Sequence, residues 1–106
     1  MAYDRYIWLN SRILGGGKRV KGPTKITVTT SSKTLSELGL DLNDSTQVLV
    51  FYVEKDGIRW NYGEASAGSA PLFTGVVVCA REREDLEKLE LISTDGNIDV
   101  WVEELE

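Results

Sequence analysis

The sequence predicts an all-β protein, an antiparallel β-sandwich or small barrel of six to seven strands with one short helical turn near residues 34–39. Short runs of β-branched and aromatic residues recur at roughly regular spacing, Gly, Asp and Asn separate them, and one segment alone carries a helix-start signal. We assign residues 1–24 to an N-terminal arm with a basic, Gly-rich connection, and residues 25–106 to the sandwich domain.

The strongest pattern is the run QVLVFYVEKDGIRWNY at residues 47–62. Val48–Val53 is apolar on both faces, which predicts a central strand with another layer packed over it. Asp56 and Gly57 are the residue types that a type I′ turn requires, because both positions of that turn have positive φ. We therefore expect residues 48–53 and 58–62 to form a hairpin.

The N-terminal half contains three further elements. Residues 3–14 alternate irregularly and fit either a first strand or an aromatic anchor that binds another subunit. Residues 26–30 alternate cleanly, with Ile26 and Val28 on the inner face. Thr34–Glu37 has the spacing of a capping box, which predicts the helical turn.

The C-terminal half is read as loop, strand, turn and strand. Residues 63–71 are small residues without an apolar anchor, so we expect a loop that is functional or mobile. Residues 72–80 predict a buried strand that breaks at Gly75. The mixed-charge run 81–85 is expected to be a solvated turn. Residues 86–92 fit a strand or a short helix, and their flanks favour the strand.

The chain is then expected to close with a tight turn and a last strand. Asp95-Gly96-Asn97 supplies the turn. Ile98, Val100 and Val102 alternate with polar residues and with Trp101, whose side chain we therefore expect to point outward.

The residue types argue against catalysis. The chain has no histidine, which removes the commonest general base and metal ligand. Cys79, the single cysteine, lies in an apolar run without a basic partner, and we expect a buried, inert thiol. The acids fall in turns or on outward strand positions, and no calcium-loop spacing is present. We predict no catalytic residue, no metal site and no cofactor.

Charge is distributed unevenly along the chain. The net charge is −5, but residues 1–35 carry +6, residues 36–80 carry −4 and residues 81–106 carry −7. The basic arm is expected to meet a negative surface, which is nucleic acid, the acidic part of the same chain, or a neighbouring copy. The acidic total argues against nucleic acid and favours protein. The chain has neither an apolar run long enough to span a membrane nor a secretory signal pattern.

Aromatic and basic side chains are the candidates for a protein interface, because such residues dominate binding energy. Burial in the core is the competing interpretation for the tryptophan at position 60. The candidates are Trp8, Arg12, Lys18, Arg19, Lys21, Trp60, Tyr62 and Trp101.

Residues 28–104 resemble a class of small virion proteins of tailed bacteriophages. The segments that carry the resemblance are SKTLSELGL, IRWNYGEASAGSAP, LFTGVVV, LELI and IDVWVEEL. The chain departs from that class at residues 61–64, where Asn-Tyr-Gly-Glu stands in place of an Asp-Gly turn. The resemblance implies a β-sandwich structural protein of a virion, a head decoration or cement protein without catalytic residues.

The resemblance also implies partners and a location. The major capsid protein or another virion protein would be the partner, and the chain would form a homo-oligomer, for which a trimer suits the local symmetry of a capsid. The location would be the virion, assembled in the host cytoplasm, with no nucleic acid or membrane bound. Two alternatives stay open, namely a tail, neck or baseplate component, and a carbohydrate- or small-ligand-binding module built from Trp60, Tyr62 and residues 63–71.

Overall fold

Two antiparallel sheets of four strands form the protein, which confirms the all-β, sandwich-like class. The computed structural model describes residues 19–79, apart from the side chain of Cys79, and residues 83–106. These residues form eight strands and one helix: β1 Arg19–Val28, β2 Lys33–Thr34, β3 Val48–Val53, β4 Ile58–Tyr62, β5 Ala70–Pro71, β6 Val77–Cys79, α1 Arg83–Lys88, β7 Leu89–Ser93 and β8 Ile98–Leu105.

Strand β3 is central in its sheet, as the apolar pattern predicts. The first sheet has the order β1-β8-β3-β6, and the second has the order β2-β7-β4-β5. Leu49 and Phe51 are fully buried in the core, and Val50, on the other side of the strand, is 8% exposed. Residues 49–51 are therefore buried on both sides of the sheet, which explains the apolar run there, whereas Tyr52 at the next position is exposed.

The predicted hairpin between residues 48–53 and 58–62 is wrong. Strand β3 pairs with β8 and β6, while β4 pairs with β7 and β5, so residues 54–57 cross from one sheet to the other. Both edges of β3 are occupied, which leaves no place beside it for β4. Gly57 has a φ of 126°, but Asp56 does not have the positive φ that a type I′ turn requires.

A second crossing lies beside the first. Strands β7 and β8 are in different sheets, so the expected tight turn at residues 94–97 is also a crossing segment. We call residues 54–57 and 94–97 the two arches. Because β3 pairs with β8 and β4 pairs with β7, the arches run side by side across the same end of the sandwich.

Direct hydrogen bonds join the two arches. The backbone N–H and the hydroxyl of Thr94 both donate to the carbonyl of Gly57, at 2.7 and 3.0 Å. The N–H of Glu54 donates to the carbonyl of Asp99 at 3.1 Å, and the N–H of Asp99 donates to Glu54 Oε2 at 3.1 Å. These bonds fix the register of β3 against β8 at the ends of the strands.

The capping box forms as predicted. The N–H of Thr34 donates to Glu37 Oε1 at 2.9 Å, and the N–H of Glu37 donates to Thr34 Oγ1 at 3.2 Å. Two hydrogen bonds lower the pKa of Glu37, because both favour its charged form. The one from the Thr34 backbone has the larger effect, and the one from the Thr34 hydroxyl has the smaller. The resulting stabilisation is complete above the unfolded pKa of about 4.5 and is lost as the pH falls through the lowered folded value.

Several element boundaries differ from the prediction. Strand β1 begins at Arg19, so residues 19–24 belong to the sheet, and residues 1–18 of the expected arm lie outside the described residues. Helix α1 occupies Arg83–Lys88, where a turn and then a strand were expected. Acids in its first turn and a lysine in its last favour the helix, and Leu86 is fully buried on it. The strand expected for residues 86–92 is right only from Leu89.

The segment after β4 differs from the prediction in two places. The buried strand predicted over residues 72–80 is wrong for residues 72–76, because Gly75 has a φ of 87° and β6 occupies only Val77–Cys79. The loop 63–71 does have an apolar anchor, because Ala65 is 3% exposed and its N–H donates to Ser32 Oγ. Alanine carries too little side chain for this anchor to be evident in the sequence.

The core is one cluster of aliphatic side chains around Phe51. We expect Phe51→Ala to destabilise the protein by about 3–5 kcal/mol, because it removes a fully buried ring and leaves a cavity. Phe73→Ala is the matched control, since Phe73 is 51% exposed, and it should change the free energy of unfolding by at most about 0.5 kcal/mol. Urea denaturation followed by circular dichroism measures both; equal losses would contradict the assigned core.

Gly22 lies where β1 passes close to β8. Its φ is 97°, and a Cβ at this position would lie 2.5 Å from the carbonyl oxygen of Val102. Gly39 has a similar φ of 93° but open space around it. Gly39→Ala should therefore cost only the backbone strain, about 1 kcal/mol. Gly22→Ala should cost at least about 2 kcal/mol more, because the backbone itself must shift. Similar denaturation midpoints for the two variants would refute the close approach.

Candidate functional site

The side of the first sheet that faces away from the second sheet carries the largest group of candidate binding residues. Alternation along a strand separates core residues from those on the opposite side. Since Phe51 pairs with Val102 inside the core, the flanking register pairs point outward. We call this side the outer face; its central residues are Val48, Val50 and Tyr52 of β3 and Trp101, Glu103 and Leu105 of β8.

Exposed aromatic side chains occupy one end of the outer face, nearer to the arches. Tyr52 is 39% exposed and Trp101, its register partner, is 37% exposed. Lys25 of β1 is the register partner of Trp101 on the other side. Phe73 precedes Thr74, whose hydroxyl donates to the carbonyl of Val53, so a third exposed ring lies near the same end. Exposed rings on a paired sheet are typical of protein-binding surfaces.

The carboxylate of Glu103, in the middle of the outer face, contacts Arg19 on one side and Tyr52 on the other. Glu103 lies 2.8 Å from Arg19, measured from Oε2 to Nη2, and its side chain is 11% exposed. The hydroxyl of Tyr52 donates to Glu103 Oε1 at 3.2 Å. Glu103 therefore orients the Tyr52 ring beside Trp101, and the ring requires less ordering when a partner binds.

Lys21 points inward, toward the end of the core. Its Nζ donates to the carbonyl of Asp41 at 2.6 Å and lies 3.9 Å from Glu104 Oε2. Glu104 is fully buried, and its Oε1 accepts hydrogen bonds of 2.8 Å from both the N–H of Asn43 and the hydroxyl of Thr46. The predicted interface residue Lys21 thus serves the chain's own loop at residues 41–46.

The opposite side of the same loop is held by Arg83. Its guanidinium donates to the carbonyls of Leu42 and Asn43 and lies 3.7 Å from Glu87. A cleft of about 310 Å³ lies beside it, and its lining includes Leu35, Asp41 and Glu87 as well as Arg83 itself. Because the guanidinium is already committed to backbone carbonyls, this cleft has a structural explanation.

The three basic residues described in β1 pair with acids of β8 in the same chain. The pairs are Arg19 with Glu103, Lys21 with Glu104, and Lys25 with Asp99. Of the three negative surfaces considered for the basic segment, its own acidic C-terminal strand is the one that these residues meet. Trp8, Arg12 and Lys18 lie outside the described residues.

The structure separates the predicted interface residues. Arg19 and Trp101 share the outer face of the first sheet, whereas Trp60 and Tyr62 belong to β4 of the second. Trp60 packs partly against the core, and Tyr62 is 47% exposed. Their rings meet edge to face, 5.3 Å apart at 87°, so they present no common flat surface on which a sugar could stack.

Sequence reasoning missed Tyr52 and Phe73. Tyr52 is hidden in a run that is apolar on both faces, so the run alone does not show which residues point outward. The assignment of Phe51 to the core supplies the missing signal, because the next residue must then point outward. Phe73 adjoins the buried Leu72 in a segment that was expected to be a strand.

No family model matches the chain, and neither the curated proteins nor the solved structures contain a match. Within residues 19–79 and 83–106, no three acids or cysteines gather as they would around a metal ion. The described helix is too short to cross a membrane. The geometry of the outer face is therefore the basis for assigning a function.

Glu104 anchors the loop at residues 41–46, and its removal tests that role. Glu104→Ala should destabilise the protein by about 2–4 kcal/mol, because it leaves the buried hydroxyl of Thr46 and the part-buried N–H of Asn43 without an acceptor. Glu104→Gln keeps an oxygen acceptor and should lose about half as much. Glu106→Ala, at an exposed neighbour, serves as the control in urea denaturation. A wild-type midpoint for Glu104→Ala would contradict the anchoring role.

Proposed function

We propose that the protein is a non-enzymatic structural protein of a virion, which decorates and stabilises a phage capsid through protein–protein contacts. Its partner is the major capsid protein or another virion protein, and its place is the virion, assembled in the host cytoplasm. The resemblance of residues 28–104 to small virion proteins supports the class of particle. The outer face supports the mode of action.

The observation that carries the proposal is the exposed pair Tyr52 and Trp101 on a rigid sheet. Both rings lie on the central strands β3 and β8, so their backbone positions are fixed by hydrogen bonds on both sides. Glu103 holds the Tyr52 hydroxyl. Aromatic side chains bury much area at low entropic cost, which makes them suitable binding anchors.

The edges of the sheets are less suitable for binding than the face. Strand β1 is a ten-residue edge strand, but Pro23, Lys21 and Lys25 and two irregularities in its register with β8 interrupt it. The other edge strands, β2, β5 and β6, have only two or three residues. Lysine, proline and bulges on an edge disfavour pairing with further strands. Docking is therefore assigned to the face.

Self-association is part of the proposal. A decoration protein occupies equivalent positions around local symmetry axes, so contacts between copies recur, and closed rings such as trimers satisfy this geometry. The acids in the first turn of helix α1, Glu84 and Asp85, are available for contacts with basic residues of a neighbouring copy. Such complementary charges set the orientation of an encounter more than its affinity.

Cosedimentation with capsids built from the major capsid protein of the same genome tests the proposal. The wild-type chain should bind, and Trp101→Ala should weaken binding by at least a factor of about thirty, because loss of a central aromatic anchor typically costs about 2 kcal/mol or more. Tyr62→Ala is the matched control, since it removes a similarly exposed ring from the second sheet and should leave the affinity unchanged.

The outcomes separate the alternatives. The wild-type chain could fail to bind capsids and bind isolated tails or baseplates instead. If Trp101→Ala then abolishes that binding, the protein belongs to the tail, and the outer face is still its docking surface. Binding to neither particle would overturn the virion assignment. Equal losses for Trp101→Ala and Tyr62→Ala would contradict the choice of face.

A further inference from the structure

Each of the two arches contains one Asp-Gly dipeptide. Asp56-Gly57 lies in the first arch and Asp95-Gly96 in the second, and the dipeptide occurs nowhere else in the chain. An aspartate rearranges most readily when glycine follows it, because glycine has no Cβ to shield its backbone nitrogen from the preceding carboxyl group. The same reactive sequence is therefore present twice at one end of the sandwich, in two different surroundings.

The first arch holds its glycine in place. The carbonyl of Gly57 accepts two hydrogen bonds from Thr94, at 2.7 Å from the N–H and at 3.0 Å from the hydroxyl. A Cβ on Gly57 would lie 3.1 Å from Ile98 Cδ1, so the start of β8 packs closely against this residue. The Gly57 nitrogen can approach the Asp56 carboxyl group only if the backbone here rotates. That rotation would break both hydrogen bonds.

The second arch leaves its glycine without such restraints. Gly96 has a φ of 69°, and apart from its chain neighbours no atom lies within 4 Å of the position that a Cβ would take. In the part of the chain that the structure describes, the backbone of Gly96 makes no hydrogen bond. The Asp95 side chain is 73% exposed. Its ion pair with Lys55, 3.5 Å from Oδ2 to Nζ, is exposed at both ends and restrains the carboxylate only weakly.

We propose that Asp95-Gly96 is a site of spontaneous isoaspartate formation and that the fold protects Asp56-Gly57 from the same reaction. The Gly96 nitrogen attacks Cγ of Asp95 and forms a succinimide ring. The nitrogen loses its proton and the carboxyl group loses a hydroxyl, and the two leave as water. Water then opens the ring. Cleavage between the nitrogen and Cγ restores aspartate, whereas cleavage between the nitrogen and the backbone carbonyl carbon gives isoaspartate.

The rearrangement alters the second arch without changing the mass of the chain, because one water leaves and one is added. The backbone gains the β-carbon of Asp95, and the former backbone carbonyl becomes a free carboxylate. Thr94, the residue before it, donates both hydrogen bonds to Gly57. The lengthened backbone therefore begins directly after the contact that joins the two arches.

Ageing of the full-length chain for several weeks at neutral pH tests the proposal. Brief digestion with chymotrypsin places the two dipeptides in different peptides, because Trp60 and Tyr62 lie between them. Electron-transfer dissociation then distinguishes isoaspartate from aspartate by a fragment that arises from cleavage between Cα and Cβ. We expect isoaspartate to accumulate at least about tenfold faster at position 95 than at position 56, because two hydrogen bonds hold Gly57 and none holds Gly96.

Unfolding and two substitutions supply the controls. In concentrated urea the contacts of both arches are lost, so the two rates should become similar. Asp95→Glu should abolish the signal at position 95 and leave position 56 unchanged, because attack on the longer side chain must close a less favourable, larger ring. Thr94→Val removes one of the two hydrogen bonds to Gly57 and should raise the rate at position 56.

The comparison of the two positions decides the proposal. Equal rates in the folded chain, or a faster reaction at position 56, would overturn it. A folded chain in which neither dipeptide reacts, although both react in urea, would overturn it as well. Rates that differ as much in urea as in the folded chain would refute protection by the fold. Capsid binding is not measured in this experiment, so no result depends on the proposed function.

Discussion

The pairing of the two arches is the constraint on which the rest of the fold depends. Because residues 54–57 and 94–97 cross together, β3 pairs with β8 in one sheet while β4 pairs with β7 in the other. The paired crossing of the two arches therefore determines which strands are central in both sheets. The bonds from Thr94 to Gly57 and between Glu54 and Asp99 lock this crossing at the end of the sandwich. The other four strands add to edges that the arches have already created.

The outer face follows from this arrangement. The register of β3 against β8 brings Tyr52 beside Trp101 and Val50 beside Glu103. A shift of one residue would move these side chains into the core and bring Phe51 out. The candidate binding surface is therefore specified by the same contacts that specify the core, and it cannot be repositioned without unfolding the sheet.

Sequence alone predicted the class, the central position of residues 48–53, the capping box and the outward Trp101, because each depends on local alternation or on spacing of a few residues. Sequence alone failed where contacts between distant parts of the chain determine which strands pair. Asp56-Gly57 fits a hairpin locally, but β8 and β6 occupy both edges of β3 and exclude β4. Lys21 resembled a surface cation until its proximity to the buried Glu104, 83 residues away, became visible. The ion pairs of β1 with β8 likewise depend on a contact between distant parts of the chain.

The pairing of Arg19 with Leu105 has a practical consequence for attaching a tag to the protein. A peptide attached after residue 106 would leave the molecule next to the start of β1, at the end of the sandwich remote from the arches. A fluorescent protein or peptide tag placed there would project away from Tyr52 and Trp101 by about 14 Å along β8. A tag attached at that end of the sandwich would leave the rings of Tyr52 and Trp101 accessible to a partner.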